Sequence, residues 1–139
     1  MGIEITYQDF LRNEQMNNRL LLYYKAICDW QNRPVSVNRM LADKLIKIRP
    51  RSRSRKLELC FNEVLAGLPD GVVIRDFDVM FHPDYQVDVL KILTDARRHK
   101  NYSAVWPGVK KDGKLIYSEE GYPDYKVYEI RNYDVTCII

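Results

Sequence analysis

The sequence predicts an α/β fold with a parallel sheet core, helices around it, and an antiparallel C-terminal hairpin extension. Helical and strand-like segments alternate over 35–106, which is typical of parallel α/β proteins. The stretch VVIRD, Val72–Asp76, is apolar without alternation, as in a strand that is buried on both faces. From Lys114 onwards, short alternating segments are separated by turn residues, which indicates hairpins.

Length and composition fit one globular domain spanning 1–139. The chain is 46% apolar and 29% charged, with a net charge of +3 that does not by itself indicate nucleic acid. No apolar run approaches the ~18 residues of a membrane span, and the polar N-terminus MGIEITYQDF is unlike a signal peptide. Cys28, Cys60 and Cys137 form no CxxC pair, so we expect free thiols and a cytoplasmic protein without membrane contact.

The first segment, from Tyr7 to about Gln31, favours a long helix that Thr6 could cap. The cluster LLLYY at 20–24 fits a strand equally well, so this alternative stays open. The apolar face of such a helix would hold Leu20, Tyr24, Ile27 and Cys28.

After the break at Arg33-Pro34, the pattern predicts a short strand at Val35–Val37 and two helices, Met40–Ile48 and Ser54–Ala66. Residues Leu68–Gly71 then form a turn before the Val72–Asp76 strand. The apolar stripes of the two helices are Leu41, Leu45 and Ile48 in the first, and Leu57, Phe61 and Leu65 in the second.

A further helix is predicted to open at His82-Pro83-Asp84 and to end in the basic cluster 97–100. Its core face would hold Tyr85, Val89, Ile92, Leu93 and Ala96. Ser103–Trp106 is the next strand, and Asp112-Gly113 suits a tight hairpin turn. The C-terminal part alternates in the segments 114–119, 125–130 and 134–139, which we expect to be hairpin strands, with a turn at 121–124.

The acids Asp76 and Asp78 end the VVIRD strand as carboxylates do in proteins that bind a magnesium nucleotide. Such a strand works with a loop of the form G-x-x-x-x-G-K-[ST], whose glycines let backbone N–H groups surround the phosphates. No glycine occurs between Gly2 and Gly67, and no lysine is followed by Ser or Thr. Standard phosphate-loop hydrolysis of ATP is therefore disfavoured.

Several ordered motifs resemble BrxF, the small P-loop protein of type 3 BREX phage-defence systems. VNRMLADKLIKIRPRSRSRKLE is similar to the strand, helix and basic linker of that family, and VVIRDFDVMFHPDYQVDVLKILTDARRHKN to its Walker B strand and following helix. SAVWPG resembles the next strand of the family, and GKLIYSEEGYPDYKVYEI its C-terminal H-L-I-Y-x-E-x-G-H-P-E-Y stretch. The resemblance covers roughly the last hundred residues.

This resemblance implies a P-loop-NTPase-like sheet, with Asp76 at the position of the Walker B acid and Asp78 close to that of the second acid. Family members carry a phosphate loop before a helix, and here NNRLLLYYKAICDWQNRP stands in its place. That stretch is either the remnant of the helix, with Arg19 near the position of the lysine, or a shortened replacement for loop and helix together. The resemblance thus implies a degenerate, non-catalytic domain.

The partners implied by the resemblance are other proteins of the defence system. They include a PglZ-type protein, an adenine methyltransferase, a large ATPase and a helicase, and the chain itself as a homo-oligomer. No catalytic residue, metal or obligatory cofactor is expected. We expect a structural role for the two acids, such as pairing of Asp76 with Arg75, and residual ATP or Mg contact is the alternative.

The basic segment KIRPRSRSRK suggests a second function, the binding of DNA or RNA through backbone phosphates. The alternative is a solvated loop, or a surface for an acidic protein. The residues that could contact phosphates are Lys47, Arg49, Arg51, Arg53, Arg55 and Lys56, joined by Arg97, Arg98 and Lys100 if the fold brings them together.

Overall fold

The computed structural model describes residues 1–12, 19–24 and 34–139, and the structural statements below refer to those residues. Its helices are α1 (Tyr7–Arg12), α2 (Asn38–Leu45), α3 (Pro50–Ala66) and α4 (Val89–Ala96). Its strands are β1 (Ile3–Ile5), β2 (Leu20–Tyr23), β3 (Val35–Ser36), β4 (Val72–Arg75), β5 (Tyr102–Val105), β6 (Val109–Lys111), β7 (Lys114–Tyr117), β8 (Lys126–Glu129) and β9 (Val135–Ile138).

The strands form two sheets. Six of them make a parallel sheet in the order β1-β9-β2-β5-β4-β3, and three make an antiparallel sheet in the order β6-β7-β8. The predicted α/β class, parallel core and antiparallel extension are therefore confirmed. The placement of 134–139 in that extension was wrong, because β9 pairs in parallel with β1 and β2.

The main core lies on one face of the parallel sheet. Leu20 and Leu22 of β2 point to this face together with Ile74 of β4 and Ala104 of β5, and all four are almost fully buried. Helices α2, α3 and α4 supply apolar side chains to the same cluster. The other face holds a smaller cluster in which Leu21, Tyr23 and Ile138 pack with Ile5 of β1 and with Tyr7 and Phe10 of α1.

The long helix predicted for 7–31 was wrong. Only α1, Tyr7–Arg12, is helical among the described residues of that range, and LLLYY forms strand β2, which was the open alternative. The cap at Thr6 is confirmed, since its Oγ1 accepts a hydrogen bond from the backbone N–H of Asp9 at 3.1 Å. Residues 13–18 and 25–33, which include the predicted face positions Ile27 and Cys28, lie outside the described residues.

Helix boundaries also differ from those predicted. Helix α3 begins at Pro50 instead of Ser54, because proline is well suited to the first helical position. Helix α4 begins at Val89 instead of near Pro83, because Asp88 caps it by accepting a hydrogen bond from the N–H of Lys91 at 3.0 Å. Residues Asp78–Phe81 form a short 3-10 turn after β4.

An aromatic cluster joins the small sheet to the large one. Trp106 follows β5, and its indole Nε1 donates to the carbonyl of Ile116 in β7 at 3.1 Å. The ring of Phe81 stacks on Tyr117 of β7 with centroids 3.8 Å apart and meets Trp106 edge to face at 5.7 Å. These contacts fix the antiparallel sheet over the residues that follow β4.

Candidate functional site

The carboxyl ends of the parallel strands meet at one edge of the sheet, and this edge contains a topological switch point. Strands β2 and β5 are neighbours there. The chain leaves β2 towards β3, which lies beyond β5, and it leaves β5 towards β9, which lies beyond β2. Ligands of open parallel α/β sheets bind outside the carboxyl ends of strands at such points. The end of β4, beside β5, belongs to the same edge.

Asp76 lies at this edge, directly after β4. Its backbone has a φ of 53°, a left-handed conformation that Asp tolerates better than most residues. Its Oδ2 accepts a hydrogen bond from Nη1 of Arg75 at 2.8 Å, and the two side chains are 45% and 52% exposed. The neighbouring guanidinium therefore occupies the position of a counter-ion for this carboxylate.

Asp78 begins the 3-10 turn and accepts a hydrogen bond from the hydroxyl of Tyr117. Loss of hydration raises the pKa of the Asp78 carboxyl, the Tyr117 bond opposes the rise, and the charge of Asp76 adds to it. Burial raises the pKa of Tyr117 to about 12, and the charges of Asp78 and Asp124 contribute. Both acids of the VVIRDFD motif thus have a side-chain partner within the fold.

The place of a phosphate loop can now be assigned from the strand order. Strand β2 is the central strand at the switch point, so such a loop would follow it, over 24–34. That interval contains no glycine, and its lysine, Lys25, is followed by Ala26. Arg19 precedes β2 and lies at the amino edge of the sheet, so the position suggested for it near a phosphate-binding lysine was wrong.

The basic segment 47–56 lies at the N-terminal end of α3. The side chains of Lys47, Arg49, Arg51, Arg55 and Lys56 are exposed, and no ion pair engages them among the described residues. Arg53 is half-buried, and its Nε donates to the carbonyl of Ile48 at 3.0 Å. Because the first turn of α3 contains no acid, these cations also oppose the helix dipole, which is a modest cost in stability.

The second basic group, after α4, lies at the other end of α3. Lys100 donates through Nζ to the carbonyl of Leu68, just beyond the C-terminal end of α3, at 2.5 Å. Since 17 residues of helix extend about 25 Å, the structure does not join Arg97, Arg98 and Lys100 to the segment 47–56. The two groups form separate surfaces.

The sequence did not reveal an apolar row on the small sheet. Val109, Ile116 and Val127 are aligned across β6, β7 and β8, on the face opposite the buried Leu115 and Tyr128. Val109 is 50% exposed and Val127 is 42% exposed. Only the strand register places the three residues side by side, and the hairpin turn at Asp112-Gly113 sets the β6–β7 part of it.

Neither a metal centre nor a membrane span is found in the parts of the chain that the structure describes. No three His, Cys, Asp or Glu side chains are grouped as metal ligands there. None of the helices there has the length and apolar character needed to cross a bilayer.

Comparison with known proteins gives no match to a protein-family model, a curated protein or a solved structure.

Proposed function

We propose that this protein is a non-catalytic assembly or regulatory subunit of a bacterial antiphage defence system of the BREX type, acting in the cytoplasm. The observation that carries the proposal is the carboxyl edge of the sheet. Asp76 is delivered there by β4 and paired with Arg75, while the chain after β2 has neither the glycines nor the lysine–hydroxyl pair of a phosphate loop. A nucleotide-binding scaffold without that loop retains a fold and its surfaces.

The apolar row of Val109, Ile116 and Val127 is the surface that best suits protein assembly. Three aligned apolar side chains on an outward sheet face resemble the centre of a small protein interface. Strands β6 and β8 are both edge strands of their sheet, so a partner strand could extend either of them. The proposed partners are other proteins of the defence system or a second copy of this chain.

Copurification from the native operon tests this proposal. Val127→Lys should reduce recovery of a system component at least about tenfold, because it places a charge in the centre of the contact. Leu59→Lys is the matched control, since Leu59 is also an exposed apolar residue and lies on α3, away from the small sheet. Recovery of no system component with the unmodified protein, or equal loss with both variants, contradicts the proposal.

A second candidate function is nucleic-acid binding by the N-terminal end of α3. The five exposed cations there, without acidic partners among the described residues, favour it. Replacing Arg49, Arg51 and Arg55 with Ala should weaken DNA binding and lower the slope of log K against log salt by roughly 0.9 per lost phosphate contact. Arg98→Ala, on the separate basic surface, is the control. Unchanged binding by the triple variant would exclude this function.

A further inference from the structure

A pocket of about 330 Å³ opens at the amino edge of the parallel sheet, opposite the edge that carries Asp76. It lies at the amino ends of three neighbouring strands, β2, β5 and β4. Its volume is at the lower end of the range of roughly 300–1,000 Å³ found for small-ligand sites. The residues that line it are Arg19, Leu21, Gly71, Arg97, Asn101, Tyr102 and Ser103.

Two arginines are the charged residues among the described part of the lining, and they come from different elements. Arg19 precedes β2, and Arg97 follows α4, so the pocket brings together two guanidinium groups that are far apart in sequence. Arg19 donates through Nε to Asp134 at 3.2 Å and through Nη1 to the carbonyl of Met1. A guanidinium has five N–H donors, so these two bonds leave Arg19 with further donors. Among the described residues that line the pocket, none is acidic.

The uncharged residues of the pocket lining supply hydrogen-bonding groups, and one of them, Gly71, leaves part of the wall open. Asn101 and Ser103 have an amide and a hydroxyl, whereas the Tyr102 hydroxyl already donates to the carbonyl of Leu93 at 2.5 Å. Gly71 has a φ of 80°, and a Cβ built on it would meet nothing within 4 Å, so the wall is open there. Its N–H donates to the carbonyl of Asn101 at 2.7 Å, which fixes the β4 and β5 walls relative to each other.

From this arrangement we infer that the amino-edge pocket binds the phosphate group of a small molecule. Planar guanidinium groups bind phosphate oxygens through paired, charge-assisted hydrogen bonds, and amide and hydroxyl groups complete such sites. The shared chemistry is a phosphate dianion, present either as free inorganic phosphate or as a phosphomonoester. The site is separate from both the carboxyl edge and the basic end of α3.

Calorimetric titration of the full chain with inorganic phosphate and with ribose 5-phosphate tests the inference. Binding of at least one of them is expected, and Arg97→Ala should weaken it at least about tenfold. Arg98→Ala is the matched control, because Arg98 is the next residue, is exposed and does not line the pocket. Equal affinities identify the phosphate group alone as the ligand, and tighter binding of the ester identifies a phosphomonoester; both results support the inference.

Arg97→Lys and Ser103→Ala separate binding from folding. Arg97→Lys keeps the charge but loses the paired donors, so it should bind more weakly than the unmodified protein, and its denaturant midpoint reports any change in folding stability separately. Ser103→Ala should also weaken binding, by removing a neutral hydrogen-bonding group. Absence of binding by the unmodified protein overturns the inference. So does an equal loss with Arg97→Ala and Arg98→Ala, which would indicate a diffuse basic surface.

Discussion

Asp76 and Asp78 follow the same strand but have different environments. Asp76 pairs with a guanidinium, whereas Asp78 accepts a bond from a tyrosine hydroxyl and is partly removed from water. Loss of hydration raises the pKa of the Asp78 carboxyl, and the tyrosine bond only partly opposes this rise. The two acids are therefore distinguishable by experiment.

Asp78→Asn should stabilise the protein at neutral pH. The pKa of Asp78 is higher in the folded protein than in the unfolded chain, so ionisation of this group disfavours the folded state. This penalty is absent below the ordinary value of 3.8 and grows as the pH rises through it towards the folded pKa. The denaturant midpoint of Asp78→Asn should exceed that of the unmodified protein at pH 7 and match it near about pH 3. Exposed Asp43→Asn is the control, and equal destabilisation of Asp78→Asn at both pH values would contradict the assignment.

Asp88 has two structural roles in one side chain. Its Oδ1 caps α4 through the N–H of Lys91 at 3.0 Å, and its Oδ2 accepts from the Tyr133 hydroxyl at 2.8 Å. Asp88→Ala should lower the free energy of unfolding by about 1–2 kcal/mol, as loss of a helix cap does. Asp95→Ala, which removes only an ion pair with Lys91 on the surface, should cost about 0.5 kcal/mol or less. Equal effects in urea denaturation would contradict the capping role.

At the scale of elements, the expectation that β4 is buried on both faces was wrong, and the two strands that are buried on both faces, β2 and β9, were not recognised as central strands. In β4 buried and less buried residues alternate, and its position was predicted correctly. All four residues of β2 and of β9 are buried, so their apolar runs carry no period of two and resemble buried helix or hairpin sequence. The Asp112-Gly113 turn was predictable because both residues adopt positive φ, 53° and 75°, which such hairpin turns require.

The candidate sites also differ in how far the sequence could predict them. The acids after β4 could be predicted because they follow an apolar strand motif. The basic segment 47–56 could be predicted because its charges are close together in the sequence. The amino-edge pocket joins Arg19, Arg97 and Ser103, and the apolar row joins three strands. Such groupings depend on strand order and register, which local sequence does not specify.

Gly108 allows the chain after β5 to lie close to β7, where the two sheets meet. A Cβ at this position would lie 1.9 Å from the carbonyl oxygen of Ile116, which already accepts from the Trp106 indole. Gly108→Ala should therefore lower the free energy of unfolding by about 1–3 kcal/mol, through displacement of β7 and of the Trp106 bond. Gly67→Ala is the matched control, because its nearest contact would be an ordinary 3.6 Å. Urea denaturation followed by tryptophan fluorescence measures both; equal stability of the two variants would contradict the close approach.

At the scale of the whole molecule, the parallel sheet has two edges with opposite chemistry. The carboxyl edge carries Asp76 and Asp78 without a phosphate loop after β2, and the amino edge carries a pocket lined by two arginines. The small antiparallel sheet covers the residues after β4 through its aromatic contacts. This arrangement is the basis of our proposal that the protein acts through its surfaces.

Titration with Mg-ATP, combined with an assay of phosphate release, tests whether the carboxyl edge of the sheet has lost nucleotide chemistry. We expect no phosphate release, and we expect Asp76→Asn to leave any heat of binding unchanged, because Asp76 is paired with Arg75 and lacks a phosphate loop beside it. Arg97→Ala, run in parallel, identifies any heat that arises at the amino-edge pocket. Phosphate release by the unmodified protein, or heat that Asp76→Asn abolishes, would show instead that the carboxyl edge binds and turns over nucleotide.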